Sequence, residues 1–285
     1  MEPKLNVHTM GHNDGMEVQP QPELKPYIQC FWYFSGKASQ ISIINNHALA
    51  DGCADLVFTR CVFEDAVGNK KELFFSQVMG PRTKATFLDV PQNADMLGIR
   101  FRPGCTGAFL GGLPMNQITD KSMELSNVWG NECKELEKQL WAIVDNVARI
   151  EFLEQAIEKK LDRKLLPDSA TKEALLSIRS FLNRTPIAAI AQSVGISDRH
   201  LERKVKQYVG MSPKKYARIT RIRQLIPILH QPSPPKLADI AHFGGFADQG
   251  HFSREFKEVT GISPKTYAQN SANVGFVQYD THERW

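Results

Sequence analysis

The chain has 285 residues, of which 42% are hydrophobic and 23% are charged, and its formal net charge is +4. This composition is typical of a folded globular protein with room for two ordinary domains. The N-terminal residues contain no apolar core of a signal peptide, and no run of about 18 uncharged apolar residues occurs. We therefore expect a cytoplasmic protein, with neither secretion nor a membrane span.

The first part of the chain, up to residue 104, has apolar residues that recur with a period of two. The segments are YIQCFWYF, ISII, DLVFTRCVF, ELFFSQVMG and MLGIRFRPG, and the turn-like DG, VGNK and PRTK stand between them. Such alternation is the pattern of strands that have one buried face. It predicts a β-rich domain, either a barrel or a sandwich.

From Leu113 to Leu161 the apolar period changes to three and four, which is the pattern of amphipathic helices. The apolar positions are Leu136, Leu140, Ile143, Val147, Ile150, Leu153, Ile157 and Leu161. Such helices either cover the predicted sheet or pair with a second copy of the chain. The charged, proline-containing stretch LDRKLLPDSAT then ends the pattern, and we expect an interdomain linker there.

The five cysteines all lie in the first half of the chain and form no CxxC or CxxH pair. They are Cys30, Cys53, Cys61, Cys105 and Cys133. Their spacing argues against a zinc site, and their odd number argues against a closed disulfide framework. We expect reduced and mostly buried thiols.

The net charge is distributed unevenly along the chain. Residues 171–268 hold 16 Lys or Arg against 7 Asp or Glu, a balance of +9, whereas the remainder holds 19 against 24, a balance of −5. A basic second half favours a polyanionic partner for that part of the molecule.

The same second half contains an internal repeat of about 50 residues. Ala188, Ile190, Ala191 and Gly195 recur 50 positions later as Ala238, Ile240, Ala241 and Gly245. His200, Arg203, Lys206, Gly210, Ser212, Pro213 and Tyr216 recur 51 positions later as His251, Arg254, Lys257, Gly261, Ser263, Pro264 and Tyr267. One extra residue is therefore expected in the turn of the second copy.

Each copy of the repeat predicts a helix, a tight turn and a second helix. In the first copy, Thr185 is expected to cap a helix whose first residue is Pro186. Gly195 allows a left-handed turn, and Ser197 caps the next helix. Asp248 takes the capping position in the second copy.

The second helix of each copy predicts two faces. One face is apolar and would anchor the helix: Leu201, Val205 and Tyr208 in the first copy, and Phe252, Phe256 and Val259 in the second. The other face carries hydrogen-bonding groups: Arg199, Glu202, Arg203 and Lys206 in the first copy, and Gly250, Ser253, Arg254 and Lys257 with Gln249 in the second. A solvated face would have the same pattern, but its duplication in the basic half favours base readout in the DNA major groove.

At these residues the sequence resembles the AraC/XylS family of bacterial transcription regulators. The resemblance covers roughly residues 170–268, and IAHFGGFADQGHFSREFKEVTGISPKTY is its most specific segment. It implies two helix-turn-helix units joined by a helix. The implied base readers are Arg199, Glu202 and Arg203 in the first unit and Gln249, Gly250, Ser253 and Arg254 in the second, where Gly250 weakens discrimination. We also expect phosphate contacts from Ser197, Lys206, Lys214, Lys257 and Lys265.

The connecting helix RITRIRQLIPILH departs from an uninterrupted helical pattern. Pro227 cannot donate a hydrogen bond to the carbonyl of Arg223, so it is expected to bend the helix or to end it early. The following HQPSPP is rich in proline, and we expect a stiff joint there.

The first half of the chain contains the segments PELKPYIQCFWYF, DGCADLVF, MGPRTKATF and LGIRFRPGCTGAFLG. With these it resembles a β-rich domain of unassigned role that precedes this module in some family members. In the wider family the N-terminal domain is often a cupin-like barrel that binds a small molecule and dimerises. Arg82, Arg100 and Arg102 are candidates for binding an anionic effector; alternatively, they pair with Asp51, Asp55 or solvent. His47 and Cys53 do not have the closely spaced histidines of a cupin metal site, so we expect no metal and no cofactor.

These observations predict an α+β protein in four parts. They are a β-rich sensor or dimerisation domain with C-terminal helices (1–162), a linker (163–170), an AraC-type double helix-turn-helix domain (171–268) and a tail (269–285). The expected partners are double-stranded DNA, RNA polymerase, a small-molecule effector and a second copy of the chain.

Two other classes of function stay open at this point. An enzyme, either a cupin-like catalyst or a DNA-alkylation repair protein, would need an activated group such as a thiolate, and no cysteine lies in a recognisable nucleophile motif. A pure dimerisation scaffold would use the amphipathic stripe from Leu136 to Leu161. We expect no catalytic residue.

Overall fold

The computed structural model of the chain describes residues 7–10, 15–35, 47–64, 67–87, 93–180, 182, 184–229, 231 and 233–269. Within them the first domain is built on antiparallel β-sheet. Its strands are β1 (Val7–Met10), β2 (Gly15–Val18), β3 (Ile28–Ser35), β4 (His47–Ala48), β5 (Asp55–Glu64), β6 (Lys70–Met79), β7 (Thr86–Phe87), β8 (Ala94–Phe101) and β9 (Ser122–Glu124). Seven of them form one sheet in the order β1-β2-β3-β8-β5-β6-β9, and β4 pairs with β7 in a separate two-stranded sheet.

The residues that alternate in the sequence lie on the two opposite faces of this sheet. In the centre, Leu56 of β5 pairs in register with Ile99 of β8, and both are fully buried against the helices of the domain. Residues one position away form a smaller apolar cluster, which includes Trp32 and Val57. A Cβ atom on Gly98 would lie 2.0 Å from the Trp32 ring, so only glycine lets the indole lie against β8.

Three helices cover the face of the sheet that carries Leu56 and Ile99. They are α1 (Ser126–Trp129), α2 (Glu132–Ala142) and α3 (Asn146–Glu158). The predicted apolar stripe is interrupted, because Ile143 has an extended backbone and Asp145 caps α3. Leu140, Ile150 and Ile157 are buried in the same core as the sheet. Of the two predicted roles for the stripe, the structure shows packing against the domain's own sheet.

The second part of the chain is entirely helical. Its elements are α4 (Ser169–Arg179), α5 (Ile187–Ser193), α6 (Asp198–Val209), α7 (Pro213–Leu229), α8 (Leu237–Phe243), α9 (Gln249–Thr260) and α10 (Pro264–Gln269). One hydrophobic core unites them, and it also includes Leu49 and Ala50 of the β-rich part. The chain is therefore α+β, with a β-rich domain followed by a helical domain, as predicted.

The strand predictions agree closely with the sheet. The segments that begin at Tyr27, Asp55, Glu72 and Met96 correspond to β3, β5, β6 and β8. The short strands β1, β2, β4, β7 and β9 were not predicted. The segment ISII and residues 270–285 of the predicted tail lie outside the described residues.

Among the described helices, none is long and apolar enough to cross a membrane.

Candidate nucleic-acid interface

The first helix-turn-helix unit consists of α5, a turn at Gly195 and α6. Gly195 has a φ of +72°, which is the left-handed conformation that the prediction required. The Ser197 hydroxyl accepts a hydrogen bond from the His200 amide at 3.2 Å and caps α6. One detail was wrong: Pro186 is the capping residue of α5 and not its first helical residue, since its ψ of 140° is extended.

The second unit repeats this arrangement with α8, Gly245 and α9. Gly245 also has a φ of +72°, and the Asp248 carboxylate accepts the His251 amide at 2.6 Å as the cap of α9. The cap follows the turn glycine by three positions here and by two in the first unit. The extra residue therefore lies in the second turn, as predicted.

The predicted apolar faces anchor both second helices. Leu201 and Val205 of α6 are fully buried, and so are Phe252 and Phe256 of α9. Phe256 packs edge-on against Tyr267, with a ring-centroid distance of 5.3 Å. Buried anchors on one face leave the opposite face of each helix in solvent.

The candidate base-reading residues lie on those solvent faces. Arg199, Arg203, Gln249, Gly250 and Arg254 are exposed, whereas Glu202 and Ser253 are partly buried. Two of the candidate residues on α6 contact neighbours on the same helix. Glu202 pairs with Lys206 at 3.0 Å, and an Arg203 guanidinium nitrogen lies 3.5 Å from Nδ1 of His200. Exposed pairs of this kind contribute little stability, so the groups are available to a ligand.

Gly250 leaves a gap in the solvent-exposed face of α9. A Cβ atom there would lie 3.1 Å from the Asp248 carboxylate and 3.5 Å from an Arg254 guanidinium nitrogen. The Arg254 side chain thus lies beside the position where most residues would project their own side chain.

The candidate phosphate-binding lysines are also exposed. They are Lys206, Lys214, Lys257 and Lys265. Lys214 and Lys265 lie in the first turns of α7 and α10, which Ser212 and Ser263 cap through the amides of Lys215 and Thr266. The N-terminal turn of a helix carries partial positive charge, which adds to the attraction of these lysines for an anion.

The connecting helix α7 is hydrogen-bonded to α4, the helix that precedes the first unit. Gln224 bonds the end of α4 through the Arg179 carbonyl at 2.7 Å, and Pro227 lies in the last turn, two residues before α7 ends at Leu229. The helix therefore continues past Pro227, so the prediction that this proline ends it early is wrong. A bend at Pro227 stays a prediction. The stiffness of the following joint stays a prediction, since His230 and Pro232 lie outside the described residues.

An ion-pair cluster that the sequence did not reveal joins α7 to α9. Arg218 contacts Glu255 at 2.8 Å and Glu258 at 2.7 Å, and Lys215 also pairs with Glu258. The hydrogen bond from Lys215 is the main reason why the pKa of Glu258 lies below its ordinary value. This cluster fixes the orientation of α9 against α7.

A similar contact holds α6 against α4. Asp168 caps α4 through the Thr171 amide at 2.8 Å and pairs with Lys204 of α6 at 2.8 Å. The hydrogen bond from Lys204 and the cap both lower the pKa of Asp168.

The three candidate effector-binding arginines have different surroundings. Arg100 of β8 is buried, with its side chain 3% exposed, and pairs with Asp51 and with Asp55, the latter at 3.1 Å. Arg102 follows β8 and donates to the Lys25 carbonyl at 2.6 Å, and Arg82 is partly exposed. Arg100 therefore pairs with Asp51 and Asp55, which is the alternative to effector binding that the sequence left open.

The cysteines are free thiols, and three of them are buried. Burial raises the pKa of Cys53 to about 12 and the pKa of Cys105 and Cys133 to about 11. A raised pKa keeps a thiol protonated, which disfavours the thiolate that the repair-enzyme alternative needs. The described residues contain no group of three or more potential metal ligands, and the side chain of His47 lies outside the described residues.

Comparison with known proteins agrees with the helical geometry. Residues 190–270 match the model of a helix-turn-helix domain. HTH-type transcriptional activator RhaS of Escherichia coli O157:H7 is 33% identical over 90 residues, which are 32% of this chain and 31% of the relative. The C-terminal domain belongs to the AraC/XylS family. RhaS of Pectobacterium atrosepticum is 34% identical to this AraC-type domain over 77 residues, 27% of each chain.

These relatives match only part of the molecule, since the aligned region spans less than a third of their length. Residues 16–124 match a different family, a domain of unknown function (DUF6597). The β-rich domain is thus an additional module that precedes the AraC-type domain.

Two solved structures are also similar. An AraC-type transcriptional regulator from Chromobacterium violaceum is 30% identical and covers 35% of this chain and 90% of its own, with a TM-score of 0.33. ToxT from Vibrio cholerae O395 is 16% identical and covers 93% of this chain and 96% of its own, with a TM-score of 0.38.

Proposed function

We propose that this chain is a transcription regulator that binds double-stranded DNA sequence-specifically through α6 and α9. The observation that carries this proposal is the duplicated design of these helices. Each is capped at its N-terminus, anchored by fully buried side chains and exposed on the face that carries arginine, within a domain of net charge +9. An α-helix of this kind fits the major groove of B-DNA.

The reading roles follow from the chemistry of the exposed groups. Arg203 and Arg254 suit the O6 and N7 acceptors of guanine, Glu202 suits the N4 donor of cytosine, and Gln249 suits adenine. Ser253 is permissive. Glu202 would exchange its contact with Lys206 for the base, and this exchange is inexpensive because both groups are solvated.

Phosphate contacts would position the domain without specifying a sequence. Lys206, Lys214, Lys257 and Lys265 supply charge, and Ser197 presents the capped N-terminus of α6. Since repeats place equivalent lysines in both units, we expect two phosphate clamps, one for each half-site.

We further propose that the N-terminal domain controls DNA binding, either through a small molecule or through a second copy of the chain. Support comes from direct contacts between the β-rich part and the helical core at Leu49 and Ala50. An anionic effector bound by Arg82, Arg100 and Arg102 would have to displace the carboxylates that already pair with Arg100. RNA polymerase is the further partner that activation would require, and the relatives bear the name of activators.

The proposal is tested by selecting duplexes from a random library with the full chain and titrating the winning duplex. We expect a motif of two half-sites about one helical turn apart. Arg203→Ala should weaken binding by about 1–3 kcal/mol and relax the preference at one base pair.

Lys138→Ala is the matched control, because it removes an exposed positive charge from α2, outside the helical domain. No enrichment in the selection would refute the proposed function. An Arg203→Ala variant with unchanged affinity and base preference would refute the assignment of the first reading face.

A further inference from the structure

The C-terminal ends of both reading helices are bonded to the N-terminal domain. At the end of α6, the hydroxyl of Thr119 lies 2.7 Å from the carbonyl oxygen of Gly210, the residue that caps this helix, and it shares its one proton with the Met115 carbonyl at 2.9 Å. At the end of α9, the amides of Ala85 and Ala50 donate to the carbonyls of Glu258 and Val259 at 3.1 Å and 3.2 Å.

These bonds fall on groups that need partners from outside. The last carbonyls of an α-helix have no amide ahead of them in the same helix and must be satisfied by other groups. At the end of α9 the donors are the backbone amides of Ala50 and Ala85. A backbone amide cannot rotate away from its acceptor as a side chain can. The position of each helix end is thereby tied to the N-terminal domain.

A third contact lies between the two helix ends, on α7. Gly52, with a φ of +75°, packs so closely on Tyr216 that a Cβ atom would lie 2.7 Å from the ring. Asp51 pairs with Arg100 of the sheet and lies 3.8 Å from an Arg223 nitrogen of α7. One short segment of the N-terminal domain therefore contacts both α7 and α9, and Thr119 contacts the end of α6.

We propose that the N-terminal domain holds the two reading helices at one fixed separation and so selects DNA by the spacing of its half-sites. Each added base pair moves a half-site by about 3.4 Å along the duplex and rotates it by roughly 34°. Helices attached to a common support cannot follow such a change without breaking contacts at one half-site. This inference rests on the proposed function, since it assigns a spacing preference to the same two helices.

The structure supplies a wedge variant and a matched control. In Gly52→Ala/Gly210→Ala, the new Cβ atoms meet Tyr216 at 2.7 Å and the Thr119 hydroxyl at 2.3 Å, so the domains must separate locally. In Gly68→Ala/Gly111→Ala, both glycines also have positive φ, but a Cβ atom meets nothing within 4 Å. The control therefore carries comparable backbone strain without the wedge.

The first experiment measures the affinity of the full chain for duplexes whose two half-sites are separated by about 8 to 13 base pairs, centre to centre. For the unaltered chain and the control, changing the half-site separation by one base pair from the optimum should lower the affinity at least about tenfold. For the wedge variant the same step should lower it about threefold or less. Equal spacing profiles for all three proteins would overturn the proposal.

A second measurement does not depend on DNA. Gln207 and Lys257 are exposed near the ends of α6 and α9, and spin labels carried on introduced keto amino acids at these positions leave the native thiols unmodified. Pulsed electron paramagnetic resonance should give one narrow distance distribution for the unaltered chain and the control, and a broader one for the wedge variant. Equal widths would overturn the inference, whereas narrow distances in the labelled chain together with no DNA binding by the unlabelled chain would refute the proposed function alone.

Thr119 allows a gentler test of the same idea. Thr119→Val removes the hydroxyl donor but keeps the shape of the side chain, and Thr119→Ser keeps the donor. We expect a broader spacing profile with valine and the original profile with serine, at similar Tm. A profile that valine leaves unchanged would remove Thr119 from the set of positioning residues.

Discussion

Replacing Asp51 by asparagine tests a buried ion-pair contact between the two domains. Asp51 lies between Arg100, whose side chain is 3% exposed, and Arg223, whose side chain is 22% exposed. Its Oδ1 also accepts the Cys53 amide at 2.8 Å, and the carbonyl of asparagine can keep this bond. The substitution therefore removes the charge and leaves the local turn intact.

The expected cost follows from what each arginine loses. Breaking a buried ion pair on one side costs about 3–5 kcal/mol, but Arg100 keeps Asp55 at 3.1 Å, so we place this part near about 2–3 kcal/mol. The longer and more exposed contact with Arg223 adds less than about 1 kcal/mol. We predict a total loss of about 2–4 kcal/mol in the free energy of unfolding.

Urea unfolding of the full chain gives this value, and hydrogen exchange at the amides of Ala50 and Ala85 reports on the contact with α9. Both amides should exchange faster in Asp51→Asn. Asp95→Asn is the control, because Asp95 pairs with Arg60 at 2.5 Å on the same sheet; it should destabilise the chain without changing exchange at Ala50 and Ala85. A loss below about 1 kcal/mol with unchanged exchange would refute the reasoning.

Three further predictions concern the helical domain. Phe256→Ala should lower the free energy of unfolding by about 3–5 kcal/mol. Val205→Ala, at the equivalent position of the repeat, should lower it by about 2 kcal/mol. Equal losses in urea unfolding would contradict the larger packing role of the Phe256 ring. Asp168→Ala should cost about 1 kcal/mol, because it removes a cap and an exposed ion pair. Because the pKa of Asp168 is lowered, its contribution to stability is present near neutral pH and is lost as the pH falls through its folded pKa. The variant should therefore approach the unaltered chain in stability at low pH. A stability difference that stays constant with pH would contradict this. Lys214→Ala should weaken all duplexes alike and reduce the slope of log affinity against log salt by about 1, whereas Lys138→Ala should not; a sequence-dependent loss would argue against a phosphate contact.

Much of the fold followed from local patterns. The alternation around Leu56 and Ile99 predicted central strands, because a residue on one face of a buried sheet must be apolar. The repeat placed the glycine turns and the caps at Ser197 and Asp248 correctly, since these positions depend on backbone conformation within a few residues. The break at Ile143 was missed because the apolar spacing continues across it, and periodicity alone does not detect a non-helical residue.

The candidate site was predictable to the extent that it lies on single helices. The exposed face with Arg203 and Arg254 follows from the 3.6-residue period and from the buried anchors opposite. The cluster around Arg218 was not predictable, because its carboxylates come from a helix about 40 residues away in the sequence, as Glu255 and Glu258 show. A charged residue on α7 has the same local pattern whether it faces solvent, DNA or another helix.

The sequence by itself determined the helices α6 and α9, their caps, their anchors and the basic charge of their domain, because each of these depends on neighbours within one or two helical turns. Only the tertiary structure decided that Arg100 pairs with Asp51 and Asp55, and that Ala50, Ala85 and Thr119 bond the ends of α6 and α9. These contacts join residues that are far apart in the chain, and a backbone amide donates in the same way whatever its side chain. No pattern of residue types therefore marks them before the chain is folded.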